Sequence, residues 1–219
     1  MAVALIVAAG RGERLGSGRA KALVPVAGRP MLEWSVRALR AVAEVQAIVI
    51  ALPPTTASSA PPREDAIVVA GGATRSASVR AALAAAPDGD PVIVHDAARP
   101  LAPPELFEQA LAELARSGAD AVIAAVPVPD TIKEVAQDGR TVRTLERSRL
   151  WAIQTPQVFR RIALADALSQ ASDELLASAT DDAWLVERAG GVVRILPAPV
   201  SNIKVTTPAD LQLAELLLR

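Results

Sequence analysis

VALIVAAGRG, residues 3–12, is the segment from which the architecture of this chain can be inferred. Its unbroken apolar run, Val3–Ala9, is typical of a strand that is buried on both faces, and the glycines that follow end the strand. Further apolar runs of strand length recur along the chain. They are Ala47–Ala51, Ala66–Ala70, Val92–Val94, Ala121–Val126 and Val192–Leu196. The sequence therefore predicts a central sheet that is covered on both sides.

Helical patterns lie between most of these runs. The predicted helices are Met31–Val42, Arg75–Ala86, Pro104–Arg116 and Leu211–Leu218. The last is preceded by a capping-box pattern, Thr207 with Asp210, and by Pro208 at the first helical position. Alternating strands and helices predict an α/β, doubly wound and mostly parallel sheet, whose ligands bind beyond the carboxyl ends of the strands. Pro53–Pro62 is predicted to be a surface loop.

The segment Thr131–Thr144 differs from the rest because polar and apolar residues alternate around Asp138-Gly139, a strong hairpin signal. The apolar positions of this region are Ile132, Val135, Val142 and Leu145. An isolated hairpin is only marginally stable in water, so these side chains need a surface to pack on. We favour a second copy of the chain over the hairpin's own domain. The predicted organisation is one domain, 1–219, with a projecting arm at 129–150.

Composition excludes several functional classes. The 219 residues carry a formal net charge of −1, which does not suit a general nucleic-acid binder. The absence of cysteine excludes disulfides and thiolate metal sites, and the single histidine, His95, excludes a multi-histidine metal centre. Val3–Ala9 is too short to span a membrane and lacks the layout of a signal peptide. We expect a soluble, cytoplasmic protein with no nucleic-acid or membrane partner.

The loop after the first strand, AAGRGERLG at residues 8–16, has the properties of an anion site. Its glycines allow backbone N–H groups to turn toward a phosphate. It is neither a P-loop nor a dinucleotide fingerprint, because no Gly-Lys-Ser/Thr closes it and the third glycine comes one residue late. Four cations lie in or just after it, namely Arg11, Arg14, Arg19 and Lys21. We interpret the loop as a triphosphate cradle; the alternative is a solvated basic turn.

A second candidate is HDAARP, residues 95–100, which follows the strand Val92–Val94. Asp96 at the carboxyl end of a strand could bind a sugar hydroxyl or a Mg²⁺ ion. Arg99 could clamp a phosphate, although the two side chains could instead pair with each other to hold the turn. We interpret His95 as a structural, interior residue.

Two further segments contain candidate ligand-binding residues. In GGATRSAS, residues 71–78, the paired glycines allow a ligand to approach the backbone, and the Ser78 hydroxyl could recognise a base edge. Alternatively, Thr74 or Ser76 only caps the following helix. In SNIKVT, residues 201–206, the lone Lys204 suggests a need for a compact point charge in a chain that otherwise uses arginine, although it could equally be there by chance.

Taken together, these segments resemble the 2-C-methyl-D-erythritol 4-phosphate cytidylyltransferase (IspD) family. The resemblance extends over nearly the whole chain and rests on eight motifs in order. They are AAGRGERL at 8–15, KALVPVAGRP at 21–30, GGATRSASV at 71–79, HDAARP at 95–100, DTIK at 130–133, QTPQ at 154–157, TDDA at 180–183 and NIKVT at 202–206.

The resemblance implies a Rossmann-like nucleotidyltransferase fold with a β-arm that joins two subunits into a homodimer. It implies that CTP and 2-C-methyl-D-erythritol 4-phosphate are converted, with Mg²⁺, to 4-diphosphocytidyl-2-C-methyl-D-erythritol and pyrophosphate in the non-mevalonate isoprenoid pathway. Two alternatives remain open. One is a cytidylyltransferase for another polyol phosphate, such as ribitol 5-phosphate. The other is a non-catalytic nucleotide-binding homologue.

The resemblance also assigns roles to individual residues. Arg14 and Lys21 would stabilise the transition state at the α-phosphate. The expected nucleotide site consists of Ala8, Ala9, Gly10, Gly12, Gly72, Arg75, Ser78 and Asp96. Asp96 is also the expected ligand of the Mg²⁺ ion that accompanies CTP.

The expected contacts of the second substrate are Asp96, Arg99, Thr131, Arg147, Thr155 and Lys204. Thr131 and Arg147 would reach from the arm into the partner's site, with Arg147 directed toward the substrate phosphate. Lys204 would orient the attacking phosphate.

Overall fold

The computed structural model describes residues 1–10, 12, 15, 20–60 and 63–219. Its strands are β1 (Ala2–Val7), β2 (Pro25–Val26), β3 (Arg29–Pro30), β4 (Val45–Leu52), β5 (Ile67–Ala70), β6 (Val92–Asp96), β7 (Ala121–Pro127), β8 (Lys133–Val135), β9 (Thr141–Thr144), β10 (Trp151–Phe159) and β11 (Val193–Pro197). Its helices are α1 (Met31–Arg40), α2 (Pro54–Ser59), α3 (Arg75–Ala85), α4 (Pro104–Ser117), α5 (Arg161–Gln170), α6 (Asp173–Ser178), α7 (Asp182–Arg188) and α8 (Pro208–Leu217). In the described part of the chain, no helix is long and apolar enough to cross a membrane.

A seven-stranded sheet in the order β11-β7-β10-β6-β1-β4-β5 forms the centre of the molecule. The β1 strand lies between β4 and β6 and runs parallel to both. The pairs β4–β5 and β7–β11 are also parallel. Only β10 differs within this sheet, because it runs antiparallel to its neighbours β6 and β7. The predicted α/β architecture with a mostly parallel sheet is therefore confirmed.

The β1 strand is buried on both faces, as its apolar sequence predicts. Ala4 and Ile6 belong to a core cluster with side chains of α1 and α4, whereas Val3 and Leu5 belong to a second cluster with α3 and α5. Successive side chains of a strand point to opposite faces, so an apolar run of this length fits only a strand that is covered on both sides. The two layers of helices thus position the ends of the strand.

Two parts of the sheet region differ from the sequence prediction. Pro53–Pro62, predicted to be a loop, contains the short helix α2, which begins with Pro54 at its first position and Pro53 as its N-cap. A proline's fixed φ favours the first turn of a helix, which the loop interpretation did not take into account.

The β10 strand was not predicted, because Gln154, Thr155 and Gln157 interrupt its apolar pattern although all three are buried.

The predicted hairpin is present as a separate two-stranded sheet of β8 and β9, in which Lys133 pairs with Thr144. Every residue of the segment 129–150 is at least partly exposed. Val135 and Val142 have 59% and 56% of their surfaces exposed, so these two side chains are not covered by their own domain.

The C-terminal helix α8 begins with the predicted capping box. The Thr207 hydroxyl accepts a hydrogen bond from the Asp210 N–H (3.2 Å), and the Asp210 carboxylate accepts one from the Thr207 N–H (2.8 Å). Thr207→Ala is expected to lower the free energy of unfolding by about 1 kcal/mol, because one N–H of the first turn loses its acceptor. Urea denaturation measures this change.

Thr141→Ala on the exposed strand β9 is the control, with an expected change of less than about 0.5 kcal/mol. Equal stabilities for the Thr207 variant and the wild type would show that the capping box contributes nothing to the fold.

Candidate active site

A cavity of about 840 Å³ lies beyond the carboxyl ends of β1, β5 and β6. All eight of the predicted nucleotide-site residues, together with two lysines, line it: Ala8, Ala9, Gly10, Gly12, Lys21, Gly72, Arg75, Ser78, Asp96 and Lys204. Residues far apart in the sequence are therefore brought to one edge of the sheet. Arg14, Arg11 and Arg19 were predicted to contribute cations here and lie outside the described residues.

The glycine loop packs directly against Lys21. Gly12 has a φ of +71°, and a Cβ atom at this position would lie 2.7 Å from the Cβ of Lys21. The Lys21 N–H also donates to the Gly10 carbonyl (3.3 Å). Only glycine combines this backbone conformation with such close contact, so Gly12 allows the start of the Lys21–Leu23 turn to approach the end of β1.

The Gly71-Gly72 turn also lines the cavity and is equally compact. A Cβ atom at Gly71 would lie 2.6 Å from the Cβ of Ala9. The Ser78 hydroxyl accepts from the Gly72 N–H (3.1 Å) and donates to the Thr74 carbonyl (2.9 Å). The Ser78 side chain therefore links the turn to the first turn of α3 and holds it in place. Thr74 caps α3 by accepting from the Ala77 N–H, which confirms the capping interpretation for Thr74.

Asp96, the last residue of β6, is held between two cations. Its Oδ1 accepts from Nε of Arg75 (3.0 Å), and its Oδ2 accepts from Nζ of Lys204 (2.6 Å). Burial by itself raises the pKa of the Asp96 carboxyl, but the charges of Arg75 and Lys204 outweigh this effect and hold the pKa well below its usual range. Asp96 is therefore ionised at neutral pH.

Arg75 has a second carboxylate partner that the sequence analysis missed. Its Nη1 donates to Oδ2 of Asp182, a fully buried residue at the start of α7. Asp182 lies in the TDDA motif, which contributed to the resemblance without any assigned role. The two residues are 107 positions apart, so sequence spacing gave no signal for this contact.

Arg99 lies behind the cavity wall and does not pair with Asp96 through its side chain. Its Nη1 donates to the Asn202 carbonyl (2.7 Å) and its Nη2 to the Ile153 carbonyl (3.4 Å). The alternative of an Asp96–Arg99 side-chain pair is therefore wrong, because Arg75 and Lys204 are the partners of Asp96. The predicted contact of Arg99 with substrate stays a prediction.

The loop that carries Lys204 is anchored on both sides of the lysine. The buried Asn202, which the sequence analysis did not single out, donates from Nδ2 to Oε1 of Gln154 (2.8 Å) and to the Thr155 carbonyl (3.0 Å). On the other side, the Val205 N–H donates to the Ala98 carbonyl (2.8 Å). These bonds fix the base of the Lys204 side chain beside Asp96.

His95 is structural, as predicted. It is fully buried, its ring packs edge-on against Phe107, and its Nδ1 lies 3.1 Å from the Thr155 hydroxyl. Thr155 also accepts from the Asp96 N–H (3.0 Å). Thr155 therefore supports the end of β6 through the backbone of Asp96. The predicted contact of Thr155 with substrate stays a prediction.

Thr131 and Arg147 lie in the exposed hairpin segment, and neither lines the cavity of its own chain. Nη1 of Arg147 donates to the Pro129 carbonyl (2.7 Å), across the base of the segment. Their predicted role in a partner's site is considered below.

Among the described residues that line the cavity, Asp96 is the carboxylate available for a magnesium ion. In the ranges that the structure describes, no group of three or more His, Cys, Asp or Glu residues could hold a metal ion. Magnesium is often bound by one or two carboxylates, with substrate phosphates and water completing its coordination, and a hard, ionised oxygen donor such as Asp96 fits that arrangement. The residues present therefore suit an ion that arrives with a triphosphate.

Burial makes the fold sensitive to pH through His95. It lowers the pKa of the imidazole to about 4, whereas an unfolded histidine has a pKa near 6.5. Between these values the unfolded state binds a proton that the folded state does not. The free energy of unfolding is therefore expected to fall as the pH drops from about 6.5 to 4, by up to about 1.4 kcal/mol per pH unit.

Urea denaturation across this range measures the slope, and His95→Asn should remove this contribution. Because the chain has one histidine, NMR also reports its titration without overlap. A folded-state imidazole that titrates near pH 6.5 would contradict the expectation.

Comparison with known proteins adds independent findings. A family model for 2-C-methyl-D-erythritol 4-phosphate cytidylyltransferase (IspD) matches residues 2–219. The chain is 51% identical to the protein of that name from Frankia casuarinae over 218 residues, which cover 98% of this chain and 80% of the relative. It is 45% identical to the one from Saccharopolyspora erythraea over 225 residues, with 99% and 98% covered.

Solved structures agree with the sequence comparison. The crystal structure of the Thermus thermophilus enzyme of the same name superposes with a TM-score of 0.81 at 35% identity, covering 99% of this chain and 98% of that one. The Francisella tularensis enzyme superposes with a TM-score of 0.84 at 29% identity, with 98% of each chain covered. With the whole chain matched in sequence and in fold, the protein belongs to the 2-C-methyl-D-erythritol 4-phosphate cytidylyltransferase (IspD) family.

Proposed function

We propose that the cavity binds CTP and 2-C-methyl-D-erythritol 4-phosphate side by side and transfers the cytidylyl group between them. A phosphate oxygen of the polyol phosphate attacks the α-phosphorus of CTP, the bond from that phosphorus to the α–β bridging oxygen breaks, and pyrophosphate leaves. The observation that carries the proposal is the meeting of Lys21, Arg75, Asp96 and Lys204 in one cavity at the strand ends. Family membership supports the same reaction.

The chemistry suits a site without a general base. The attacking phosphate is already an anion at neutral pH, so no proton has to be removed from it. His95 is buried behind the cavity and is not required. The main barrier is the approach of two polyanions and the charge that develops on the oxygens around the α-phosphorus. Fixed cations and backbone N–H groups lower this barrier through positioning and electrostatic stabilisation.

Lys21 and the glycine loop form the proposed triphosphate side of the cavity. Lys21 would contact the α-phosphate together with Arg14, which the resemblance places in the same role. The backbone of Ala8–Gly10 and the Gly71-Gly72 turn would surround the cytidine, with Ser78 fixing that turn. A magnesium ion bound to the phosphates and to Asp96 would supply further neutralising charge.

Lys204 forms the proposed polyol-phosphate side. Its side chain is 44% exposed, and its ammonium group donates to Asp96, so its remaining N–H groups can donate to an incoming phosphate. Asp96 would accept a hydrogen bond from a hydroxyl of the ribose or the polyol. The cavity thus offers one lysine to each anionic substrate.

The proposed assembly is a homodimer joined through the segment 129–150. Its exposed hairpin carries Val135 and Val142 without a partner surface on its own domain, and a second copy would cover them. In that arrangement Thr131 and Arg147 would reach the partner's cavity, where Arg147 would bind the substrate phosphate.

An enzyme that consumes CTP is also expected in the cytoplasm.

Pyrophosphate release from CTP tests the proposed reaction directly. Release is expected with 2-C-methyl-D-erythritol 4-phosphate and much less with ribitol 5-phosphate. Faster release with ribitol 5-phosphate would assign the chain to a different polyol, and no release with either would indicate a nucleotide-binding homologue without this activity.

Lys21→Ala is expected to lower turnover by roughly 10²–10³, because one preorganised cation at the α-phosphate is lost. Arg14→Ala is expected to act similarly. Steady-state kinetics measures the loss, and circular dichroism should show an unchanged fold.

Arg116→Ala is the matched control, because this exposed arginine lies at the end of α4, near the start of β7 and on the opposite edge of the sheet from the cavity. Its turnover should equal that of the wild type. Near-normal turnover of Lys21→Ala would remove this lysine from the mechanism.

Replacing Val135 and Val142 together by Asp is expected to convert the dimer into monomers, because charges would replace the apolar contact. Sedimentation equilibrium measures the change. Ile162→Asp on α5, another exposed apolar position, is the control and should remain dimeric. A wild type that sediments at the mass of one chain would contradict the proposed assembly.

Mixing two inactive variants tests whether the site is shared. In a mixed dimer of Arg14→Ala and Arg147→Ala chains, one cavity retains its own Arg14 and the partner's intact Arg147. Partial activity should therefore return after the subunits exchange. No recovery despite confirmed exchange would show that the arm does not act across subunits.

A further inference from the structure

Asp182 is an acidic residue at the back of the site that the proposed reaction does not use directly. Burial raises the pKa of its carboxyl, and the adjacent charge of Arg75 opposes that rise. It is fully buried, and its Oδ2 accepts from Nη1 of Arg75. Its Oδ1 has no hydrogen-bond partner among the described residues. Arg75 is therefore the cation that balances this buried carboxylate.

Stability alone does not account for such an arrangement. Removing a carboxylate from water costs more than a single ion pair usually returns, so buried ion pairs contribute little net stability. The start of α7 does not need Asp182 either. The adjacent Asp181 caps the helix by accepting from the Trp184 N–H (2.8 Å), and it also accepts from Nε2 of Gln157 (2.8 Å).

Asp182 begins a row of alternating charges that ends in the cavity. The order is Asp182, Arg75, Asp96 and Lys204, with two carboxylates and two cations in contact one after the other. The Arg75 guanidinium uses Nη1 for Asp182 and Nε for Asp96, so its planar fork is fixed from two sides. Because Arg75 binds only Oδ1 of Asp96, Oδ2 remains for Lys204.

We propose that Asp182 is a positioning residue for cytidylyl transfer: by holding Arg75 from behind, it leaves one oxygen of Asp96 as the anchor for Lys204. This inference rests on the proposed function, since Lys204 must be placed to receive a phosphate. Without the Asp182 charge, Arg75 is free to turn and bind both oxygens of Asp96, which is the preferred geometry of an arginine–carboxylate pair. Lys204 then loses its anchor.

Asp182→Asn tests the inference, because it removes the charge and keeps the shape. The expected result is a fall in kcat/KM of about 10²-fold, the scale of a small misplacement of a reacting group. Asp181→Ala is the matched control: it removes the neighbouring carboxylate of the same motif, and its kcat/KM should stay near that of the wild type. Thermal denaturation of both variants separates loss of fold from loss of rate.

A double-variant cycle distinguishes positioning from a general structural effect. Lys204→Ala removes the group that Asp182 is inferred to place, so adding Asp182→Asn to it should cause little further loss. Fully additive losses would overturn the inference. So would an Asp182→Asn variant with a lower melting temperature and unchanged kcat and KM.

A second readout needs no substrate. The Nε–H signal of Arg75 in NMR, assigned with Arg75→Lys, should exchange slowly with water in the wild type and faster in Asp182→Asn. If the wild type lacks cytidylyl transfer, the proposed function fails while this readout still tests the contact. If Asp182→Asn does not fold, Asp182→Ser replaces it, and failure of both to fold would make Asp182 a folding residue and overturn the inference.

Discussion

The ionised carboxylate of Asp96 between Arg75 and Lys204 is the interaction around which the rest of the site is organised. It joins three segments that are distant in the sequence: the end of β6, the first turn of α3 and the loop after β11. The antiparallel strand β10 also holds Asp96 in place, because the hydroxyl of its Thr155 accepts from the Asp96 N–H. The sheet thus positions one anion, and that anion positions two cations.

This arrangement explains how a chain with almost no net charge can bind anionic substrates. The formal net charge is −1, so attraction of CTP depends on local charges and not on the molecule as a whole. Buried carboxylates hold the cations in place before substrate arrives, which reduces the reorganisation needed during reaction. The glycine turns at Gly12 and Gly71 contribute close backbone approach, as the Cβ distances at these positions show.

The sequence predicts the parts of this molecule that depend on local pattern. Continuous apolar runs identify the parallel strands because those strands are covered on both faces, and glycine turns after them indicate the cavity. The β10 strand was missed because three of its buried residues, Gln154, Thr155 and Gln157, are polar, and each finds a partner only in the folded chain. Asp182 and Asn202 were missed for the same reason, since Arg75 and Gln154 lie far from them in the sequence. Arg99 was recognised as important, but its orientation toward backbone carbonyls is a tertiary property that no motif specifies.

We propose that a preorganised group of cations at the strand ends receives the triphosphate of CTP. A crystal structure of the protein with CTP tests it most directly. Phosphate oxygens are expected within hydrogen-bond distance of Lys21 Nζ and of the backbone N–H groups of the glycine loop, with Asp96 still bonded to Arg75. A triphosphate bound elsewhere, or a Lys21 side chain turned away from it, would show that these cations do not receive the nucleotide.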